Sequence, residues 1–415
     1  MLLLIASFSL EAGIFDIFKK KDGKIELRVV TMFGGKDPAA NAYKKALEEF
    51  QIQNPNVKIV DESRSADDVF KTKVRTDFAS KNEPDITVFF TAKSGKPIVN
   101  SGRAMDFDGL LAEGKVCQGL SDAAVNGVRA EDGKLYAIPF AAFAEGMWIN
   151  QDLFKKYDVE IPKTWEQLKK AIEVFKANKI VPITVPMSQE PHYMIETMIL
   201  AAAGSVGHDS KLSKENNLGW ELGLNTIKEL YEMGAFPKDT FGMSEQQNRE
   251  LFSNKKAAMM INGNWAYGTI KDAGNKDARM ISLPIMPGGK GKYGSMLAGF
   301  GSGYYMSKAS YEDPKKDQMA LKLINFLTSE KQTLIFTKAN GAIPSTKKQM
   351  TGLDPAVESV HKLVAVAPSV SFPIDMQISP AAWNIIKDNL SYIVLGKKTA
   401  KEVVEQAYKV ENANK

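Results

Sequence analysis

The order of apolar and polar positions in the first third of the chain predicts strands that alternate with helices. Runs rich in apolar residues are followed by stretches in which apolar residues recur at helical spacing. The predicted strands are residues 24–33, 57–60 and 84–90. Such alternation is typical of a parallel sheet with right-handed crossovers, whose ligands lie beyond the carboxyl ends of the strands. We therefore expect FGGKD (33–37) and FFTAKSG (89–95) at a ligand-binding edge.

Several predicted helices begin at recognisable capping residues. Ser, Thr, Asp or Asn at a helix start can accept a hydrogen bond from a free backbone N–H, and a following proline or a Glu or Gln three residues later strengthens the signal. The expected helix starts are Asp37-Pro38, Ser65, Thr164 with Gln167, Ser244 with Gln247, Ser379-Pro380, and Thr399 with Glu402.

Three segments predict that the chain crosses between two lobes. Pro139 lies between two apolar pieces, residues 296–307 have the pattern of a strand that returns to the first lobe, and residues 341–345 suit another crossing. Each lobe is then an α/β unit, a mostly parallel sheet flanked by helices and assembled from separated chain segments, with a ligand cleft between the lobes. The predicted division is an N-terminal lobe of residues 24–138 plus 297–340 and a C-terminal lobe of residues 139–296 plus 341–415.

Length and composition agree with a large soluble protein. The chain has 415 residues, of which 44% are hydrophobic and 25% charged, so two or three domains with substantial cores are expected. The net charge of +5 comes without a long block of Lys or Arg, so we expect no nucleic-acid partner. One cysteine excludes an internal disulfide framework, and three histidines with one cysteine leave little material for a zinc or iron site.

The first 23 residues form a separate segment. MLLLIASFSLEAGIFDIF is too short in its apolar part to span a bilayer and resembles the core of a signal peptide that lacks a basic start. Residues 10–13 would suit a bacterial lipobox if a cysteine followed, but Ile14 stands there. We interpret residues 1–23 as a signal-like segment or an engineered chain end, followed by a linker, and expect no transmembrane segment after it.

The glycine-rich segments of the chain match neither a dinucleotide-binding nor a phosphate-binding motif. GFGSG (299–303) has its third glycine misplaced for a dinucleotide fingerprint, and GGKGKYGS (288–295) lacks the end of a phosphate-binding loop. The chain contains neither a G-x-S-x-G nor an H-E-x-x-H motif. We therefore predict no cofactor, no catalytic residue and no metal site.

Aromatic residues on turns are the distinctive chemical signal. Trp265 directly follows Asn-Gly-Asn at the end of an apolar strand-like run, and Tyr193 follows Glu-Pro-His. Aromatic faces beside polar side chains suit a ligand with apolar C–H faces and hydroxyl edges, which describes a sugar. The aromatic residues on predicted turns are Phe33, Phe90, Phe143, Trp148, Tyr193, Trp265 and Trp383.

Ordered motifs from about Lys24 to the end of the chain resemble one family. The chain is similar to extracellular solute-binding proteins of ABC importers, in the large carbohydrate-binding family that includes maltose-binding protein. The segments that carry the resemblance are NEPDITVFF, DGKLYAIPF followed by WINQDLF, IPKTWEQL, KKAAMMINGNWA and LGKKTAKEVVEQA. The order K-A-A-M-x-I-x-G-x-W is fairly specific, whereas P-D-I alone is weak.

The resemblance implies which residues contact the ligand. It places Trp265 and Trp383 as stacking tryptophans of the second lobe and Phe89 or Phe90 as the aromatic residue at a strand end. The hinge position that is acidic in maltose-binding protein falls on Phe143, which puts maltose in doubt, and Glu145 follows two residues later. With the turn residues added, the expected ligand-binding set is Phe33, Lys36, Asp37, Phe90, Thr91, Ser94, Phe143, Glu145, Glu190, His192, Tyr193, Asn264, Trp265, Phe300, Asp375 and Trp383.

The resemblance implies a receptor without catalytic activity. We expect it to capture a mono- or oligosaccharide by closure of the two lobes and to deliver it to the transmembrane subunits of an ABC permease. The expected receptor is a monomer, extracellular or periplasmic, and natively lipid-anchored although the lipobox cysteine is absent.

Two alternatives stay open from the sequence. One is a carbohydrate-active enzyme such as a glycosidase or lyase. The other is a binder of an anionic solute such as a phosphorylated polyol, which would need several cations in the cleft. The candidates for those cations are Lys36, Lys93 and Arg64.

Overall fold

A computed structural model describes residues 23–187, 190–209, 212–348 and 350–413. Within these residues the strands, in chain order, are β1 (Ile25–Val30), β2 (Val57–Asp61), β3 (Ile86–Phe90), β4 (Ile138–Pro139), β5 (Ala141–Asn150), β6 (Val181–Thr184), β7 (Ala257–Gly263), β8 (Ala278–Ile281), β9 (Met296–Gly299), β10 (Ser302–Met306), β11 (Ile343–Pro344) and β12 (Val370–Ser371).

The α-helices of the described residues lie between and after these strands, and two short 3₁₀ turns accompany them. The helices are α1 (Ala40–Gln53), α2 (Asp68–Ala79), α3 (Ala92–Asn100), α4 (Asp108–Ala112), α5 (Asp122–Gly127), α6 (Gln151–Lys156), α7 (Trp165–Ala177), α8 (His192–Asp209), α9 (Asn217–Glu232), α10 (Glu245–Ser253), α11 (Tyr267–Asp272), α12 (Lys308–Glu312), α13 (Asp317–Leu327), α14 (Glu330–Asn340), α15 (Pro355–Val366), α16 (Pro380–Val394) and α17 (Ala400–Asn412), and the 3₁₀ turns are Asn264–Ala266 and Ile374–Met376.

The first sheet is mostly parallel, as the sequence predicts. Its order is β2-β1-β3-β10-β4, with β1 parallel to both β2 and β3. Only β10 runs against its neighbours β3 and β4. The carboxyl ends of β1, β3 and β4 therefore meet at one edge, where residues 31–37 and 91–95 follow.

In the second sheet one long strand, β5, runs antiparallel to all the others. Its order is β12-β9-β5-β7-β6, and β8 and β11 also pair with β5. Strand β5 is antiparallel to β7, β8, β9 and β11, while β6 is parallel to β7 and β12 to β9. The amino-terminal half of β5 thus lies beside the carboxyl ends of β7 and β9.

Both sheets are covered by helices on both faces, so neighbouring strand residues enter different cores. Val29 packs into one apolar cluster of the first lobe and Val30 into another. Met147 and Trp148 of β5 divide in the same way between two clusters of the second lobe. This two-residue period explains why the strands are apolar runs rather than alternating patterns.

The chain passes between the sheets close to the predicted crossings, with two differences at the boundaries. Pro139 still pairs in the first sheet, and β5 begins at Ala141 in the second. Strand β9 pairs with β5, so Met296–Gly299 belongs to the second sheet and the chain returns at Phe300 and Gly301, later than the predicted residue 297. The boundaries differ because the sequence of an apolar strand does not indicate which sheet the strand joins.

Four of the predicted helix starts are confirmed. The side chains of Thr164, Ser244, Ser379 and Thr399 each accept a hydrogen bond from a backbone N–H of the first turn. Two predictions were wrong: Asp67, not Ser65, caps α2, and α1 begins at Ala40 with the Asp37 carboxylate accepting from the Ala39 N–H. Several polar residues that could cap a helix precede both α1 and α2. The residue types alone therefore did not indicate which of them is the cap.

The described residues contain neither a candidate membrane span nor a cluster of metal-ligating side chains. No helix among them has the length and apolar character required to cross a membrane. Within the same ranges, no group of three or more His, Cys, Asp or Glu side chains is arranged to hold a metal ion.

Candidate ligand-binding site

The indole of Trp265 folds back over the end of β7. This strand is buried along its whole length and is followed by the 3₁₀ turn Asn264–Ala266. A Cβ atom on Gly263 would collide with the six-membered ring of Trp265, so only glycine leaves room for the ring. Trp265 stays half-buried, and its ring centroid lies 5.7 Å from that of Tyr193.

Glu145 lies beside this tryptophan. In the β5–β7 ladder Glu145 is directly opposite Gly263, and side chains of paired residues project from the same face. Glu145 is 5% exposed, and its Oε2 has no hydrogen-bond partner among the described residues. Burial raises the pKa of Glu145 to about 7, an effect that nearby His192 opposes and that Asp375 and Glu190 reinforce.

The start of α8 brings further titratable groups to the same place. His192 Nδ1 lies 3.1 Å from Glu190 Oε2, and the His192 ring centroid is 3.9 Å from that of Tyr193. Burial lowers the pKa of His192, but Glu190 and Glu145 outweigh it and the pKa is raised above its ordinary value. Glu196, one turn later, is fully buried, and burial raises its pKa well above the ordinary value, with Asp375 and Glu145 adding to the effect.

First-lobe residues meet this group from the other side. Lys71 of α2 lies with Nζ 5.4 Å from the centroid of the Phe90 ring and 3.8 Å from Asp375 Oδ2. Ser94 Oγ donates a hydrogen bond of 3.5 Å to the Asp375 carbonyl oxygen. Lys71 was missed by the sequence analysis, because it lies inside a helix with no motif around it.

A second group of charges lies between the lobes. Burial raises the pKa of Asp37 to about 7, while the charge of Arg249 lowers it and that of Glu245 raises it. Arg249 is itself buried and forms an ion pair of 3.1 Å with Glu245 one turn earlier in α10. The i,i+4 spacing of these two residues is a sequence signal for a helix ion pair, but it does not indicate that the pair faces the first lobe.

Three of the predicted ligand-binding residues are almost completely buried by contacts within the protein. Phe33 is 5% exposed and packs against Tyr43, Phe140 and Phe336, with ring centroids 5.2 to 5.5 Å away. Asn264 Oδ1 accepts from the Ala144 N–H at 2.8 Å, and Nδ2 donates to the Gly341 carbonyl at 3.1 Å, so its amide joins β5 to the last crossing. Trp383 is 7% exposed in the apolar core of the second lobe.

Four other predicted residues lie at the edge of the site or at the crossings. Lys36 is exposed. The Thr91 N–H donates to the Gly301 carbonyl at 2.9 Å. Phe143 lies 6.2 Å from Phe372 between ring centroids, and Phe300 packs over Gly127 of α5. Trp148, also an aromatic residue on a predicted turn, is fully buried within β5.

Ion pairs join the two lobes along one edge. Lys387 Nζ lies 3.2 Å from Asp68 Oδ2, and Lys93 Nζ lies 3.4 Å from Glu411 Oε1. Together with Lys71 and Asp375 these pairs connect α2 and α3 with α16, α17 and the second 3₁₀ turn. Single exposed pairs contribute little to stability, but these pairs show that the first-lobe helices α2 and α3 contact the last part of the chain.

The chain belongs to the bacterial extracellular solute-binding protein family, and the sequence model of that family matches residues 36–334. A relative named as an uncharacterized ABC transporter extracellular-binding protein of Pyrococcus horikoshii is 24% identical, covering 88% of this chain and 84% of its own. A maltotriose-binding protein of Pyrococcus abyssi is 23% identical, covering 86% and 75%. A structure from work on xylan utilization by Caldanaerobius polysaccharolyticus superimposes with a TM-score of 0.84 at 23% identity, covering 94% of this chain and 100% of that one. The structural likeness shows a shared two-lobe fold.

We expect the ligand-free protein to lose stability as the pH rises from about 4.5 to about 7. The pKa values of Glu145 and Asp37 are raised to about 7 in the folded state, so the native protein holds protons that the unfolded chain releases over this range. Each of these two groups therefore lowers the free energy of unfolding by up to about 1.4 kcal/mol for each pH unit. Thermal unfolding of wild-type and Glu145→Gln protein across this range measures the effect.

The Gln variant should show a shallower decline, because its amide cannot titrate. The matched control is Glu26→Gln, which removes a surface carboxylate paired with Lys58 on the edge of the first sheet. Equal slopes in wild-type and Glu145→Gln protein would contradict the prediction. His192 has a raised pKa and changes stability in the same direction, so it does not mask the difference.

We expect Gly263→Ala to weaken ligand binding, because the new methyl group displaces the indole from its place over β7. The matched control is Gly109→Ala, where an added Cβ meets nothing within 4 Å. Trp265 fluorescence and the affinity for the ligand are the two measurements. Unchanged affinity in Gly263→Ala would show that the position of the indole is irrelevant to binding.

Proposed function

We propose that this protein is the ligand-capturing receptor of an ABC importer for carbohydrates. The ligand is a mono- or oligosaccharide held between the two lobes. Membership of the extracellular solute-binding family supports the receptor role. The ABC transporter and maltotriose-binding relatives support the importer and the sugar class.

The observation that carries the proposal is the arrangement of Trp265 and Tyr193 beside hydrogen-bonding side chains. The two rings offer flat apolar faces, and Glu145, Glu190 and His192 surround them from the second lobe. Sugars present C–H faces to aromatic rings and hydroxyl edges to carboxylates, amides and imidazoles.

An anionic solute fits this site less well than a sugar. Three of the cations between the lobes are engaged in ion pairs with carboxylates. Lys71 pairs with Asp375, Arg249 with Glu245, and Lys93 with Glu411. A phosphorylated ligand would have to compete with these carboxylates for the cations that they hold.

We propose that binding is coupled to hinge closure about the crossings near Phe140, Phe300 and residues 341–345. The ion pairs between α2, α3 and the last two helices form only when the lobes are together. A ligand that touches both lobes adds to these contacts and shifts the population toward the closed state. The closed form then docks, as a monomer outside the cytoplasmic membrane, on the permease subunits.

Lipid anchoring is part of the same proposal. It would tether the receptor beside its permease. The segment concerned, residues 1–22, lies outside the described residues.

A thermal-shift screen against mono- and oligosaccharides tests the proposal. A ligand at a hundredfold excess over its dissociation constant should stabilise the protein by about 2.7 kcal/mol. Small-angle scattering should show a smaller radius of gyration with the same ligand. Failure of every saccharide to shift the melting temperature would contradict the sugar class, and release of shortened or unsaturated products would favour the enzyme alternative.

A further inference from the structure

We infer that the captured saccharide carries a cationic amino group, which binds between the Glu145 carboxylate and the ring of Trp265. This inference rests on the proposed function and narrows its ligand class to amino sugars with a free amine. It follows from the geometry of one strand pair, from an unpartnered buried oxygen, and from the charges around it.

The strand pair brings a carboxylate and an aromatic ring together on one face. Glu145 is paired with Gly263, and the ring of Trp265 occupies the position where a side chain of residue 263 would begin. Directly opposed positions of this kind have Cβ atoms about 4.5 to 5.5 Å apart. The Glu145 side chain and the indole are therefore immediate neighbours, and Tyr193 extends the aromatic wall.

The carboxylate lacks a partner within the protein. Glu145 is almost completely buried, and Oε2 has no hydrogen-bond partner among the described residues. A buried polar oxygen without a partner costs free energy, and a buried charge costs more. In a receptor, the natural partner of such an atom is a donor on the ligand.

The charged groups around Glu145 do not supply that donor. Asp375 of the second 3₁₀ turn and Glu190 are themselves acidic and oppose its ionisation, and Glu145 in turn adds to the raised pKa of the buried Glu196. His192 lies at hydrogen-bond distance from Glu190. Lys71 of α2 lies between Asp375 and Asp68, 3.8 and 3.9 Å from their carboxylate oxygens. Acidic groups are thus in excess on the faces that enclose Glu145.

An ammonium group satisfies this environment better than a hydroxyl. A hydroxyl can donate to the Glu145 oxygen, but it brings no positive charge to the acidic groups around it. An ammonium forms a charge-assisted hydrogen bond to the carboxylate and is attracted to the face of a neighbouring tryptophan. Carboxylate and indole side by side therefore select an amine over a neutral group of the same size.

Calorimetry with matched sugars tests the inference. Each set consists of the sugar with a hydroxyl, a free amine or an N-acetyl group at the same carbon. Three sets are built on the monosaccharides glucose, galactose and mannose. A fourth set consists of the β-1,4-linked disaccharides cellobiose, chitobiose and N,N′-diacetylchitobiose. We expect the amine to bind at least about tenfold tighter than both counterparts in the set that fits the site. Glu145→Gln should abolish that preference, and the control Glu26→Gln should keep it.

The outcomes separate this inference from the proposed function. Neutral or acetylated sugars that bind as tightly as the amine would overturn the inference and leave the saccharide receptor intact. The polyamine spermidine serves as a cationic ligand without a sugar ring. Binding of spermidine without binding of any saccharide would overturn both the inference and the proposed function, and so would the absence of all binding. Because the comparison among matched sugars uses wild-type protein, it decides the question even if Glu145→Gln fails to fold.

Discussion

Replacing Trp265 with alanine should weaken saccharide binding by at least about tenfold and change thermal stability only modestly. The side chain is half-buried over Gly263, which pairs with Glu145, and its ring centroid lies 5.7 Å from that of Tyr193. Loss of an aromatic anchor of this kind commonly costs at least about 2 kcal/mol of binding free energy, which exceeds one decade at about 1.4 kcal/mol per decade. Calorimetry gives the affinity, and thermal unfolding gives the stability.

The control is Trp165→Ala in the second-lobe core, where the side chain is buried at the start of α7. We expect the reverse pattern there, namely early melting with near-normal affinity for the molecules that remain folded. If Trp265→Ala melts early and binds the saccharide normally, Trp265 is a packing residue and the site must be placed elsewhere.

Replacing Trp383 with alanine should lower the free energy of unfolding by about 3 to 5 kcal/mol, the usual cost of deleting a large aromatic side chain from a core. The sequence resemblance implies a stacking role for Trp383, like that of Trp265. In the structure Trp383 is 7% exposed and packs among apolar residues of the second-lobe core, so its removal should leave a cavity there. Chemical denaturation measures the loss.

Trp383→Phe is the conservative comparison, because it keeps an apolar ring in the core and should lose much less stability. Saccharide affinity of the folded fraction should change little in either variant. A large loss of affinity with native-like unfolding in Trp383→Ala would show that the resemblance is the better guide and that this ring reaches the ligand.

Local features of the fold were predictable because they depend on residues close in sequence. The strands β1, β2 and β3 are apolar runs bounded by helical patterns, and the capping boxes at Thr164 and Thr399 are complete within four residues. The two-lobe fold followed from ordered motifs spread over the chain. Boundaries were less predictable, since β9 and β10 are consecutive apolar strands that join different sheets.

The site was predictable in part. Asn-Gly-Asn before Trp265 indicated an unusual tryptophan, and the structure gives the physical reason: Gly263 leaves space for the indole. The same reasoning placed Phe33 at the ligand edge, and in the structure its ring packs against Tyr43, Phe140 and Phe336. Both aromatic residues follow a buried strand, so the one-dimensional pattern does not distinguish them.

By itself, the sequence determined the class of fold, the beginnings of many helices and the candidate tryptophan, because each depends on periodicity, local hydrogen bonding or a conformationally permissive glycine. Only the tertiary structure decided which residues that are distant in sequence contact one another. The pairing of Glu145 with Gly263 spans more than a hundred residues, and Lys71 meets Asp375 from the other lobe. Burial and charge environment are properties of such distant neighbours, which is why the unpartnered carboxylate beside Trp265 became visible only in the folded protein.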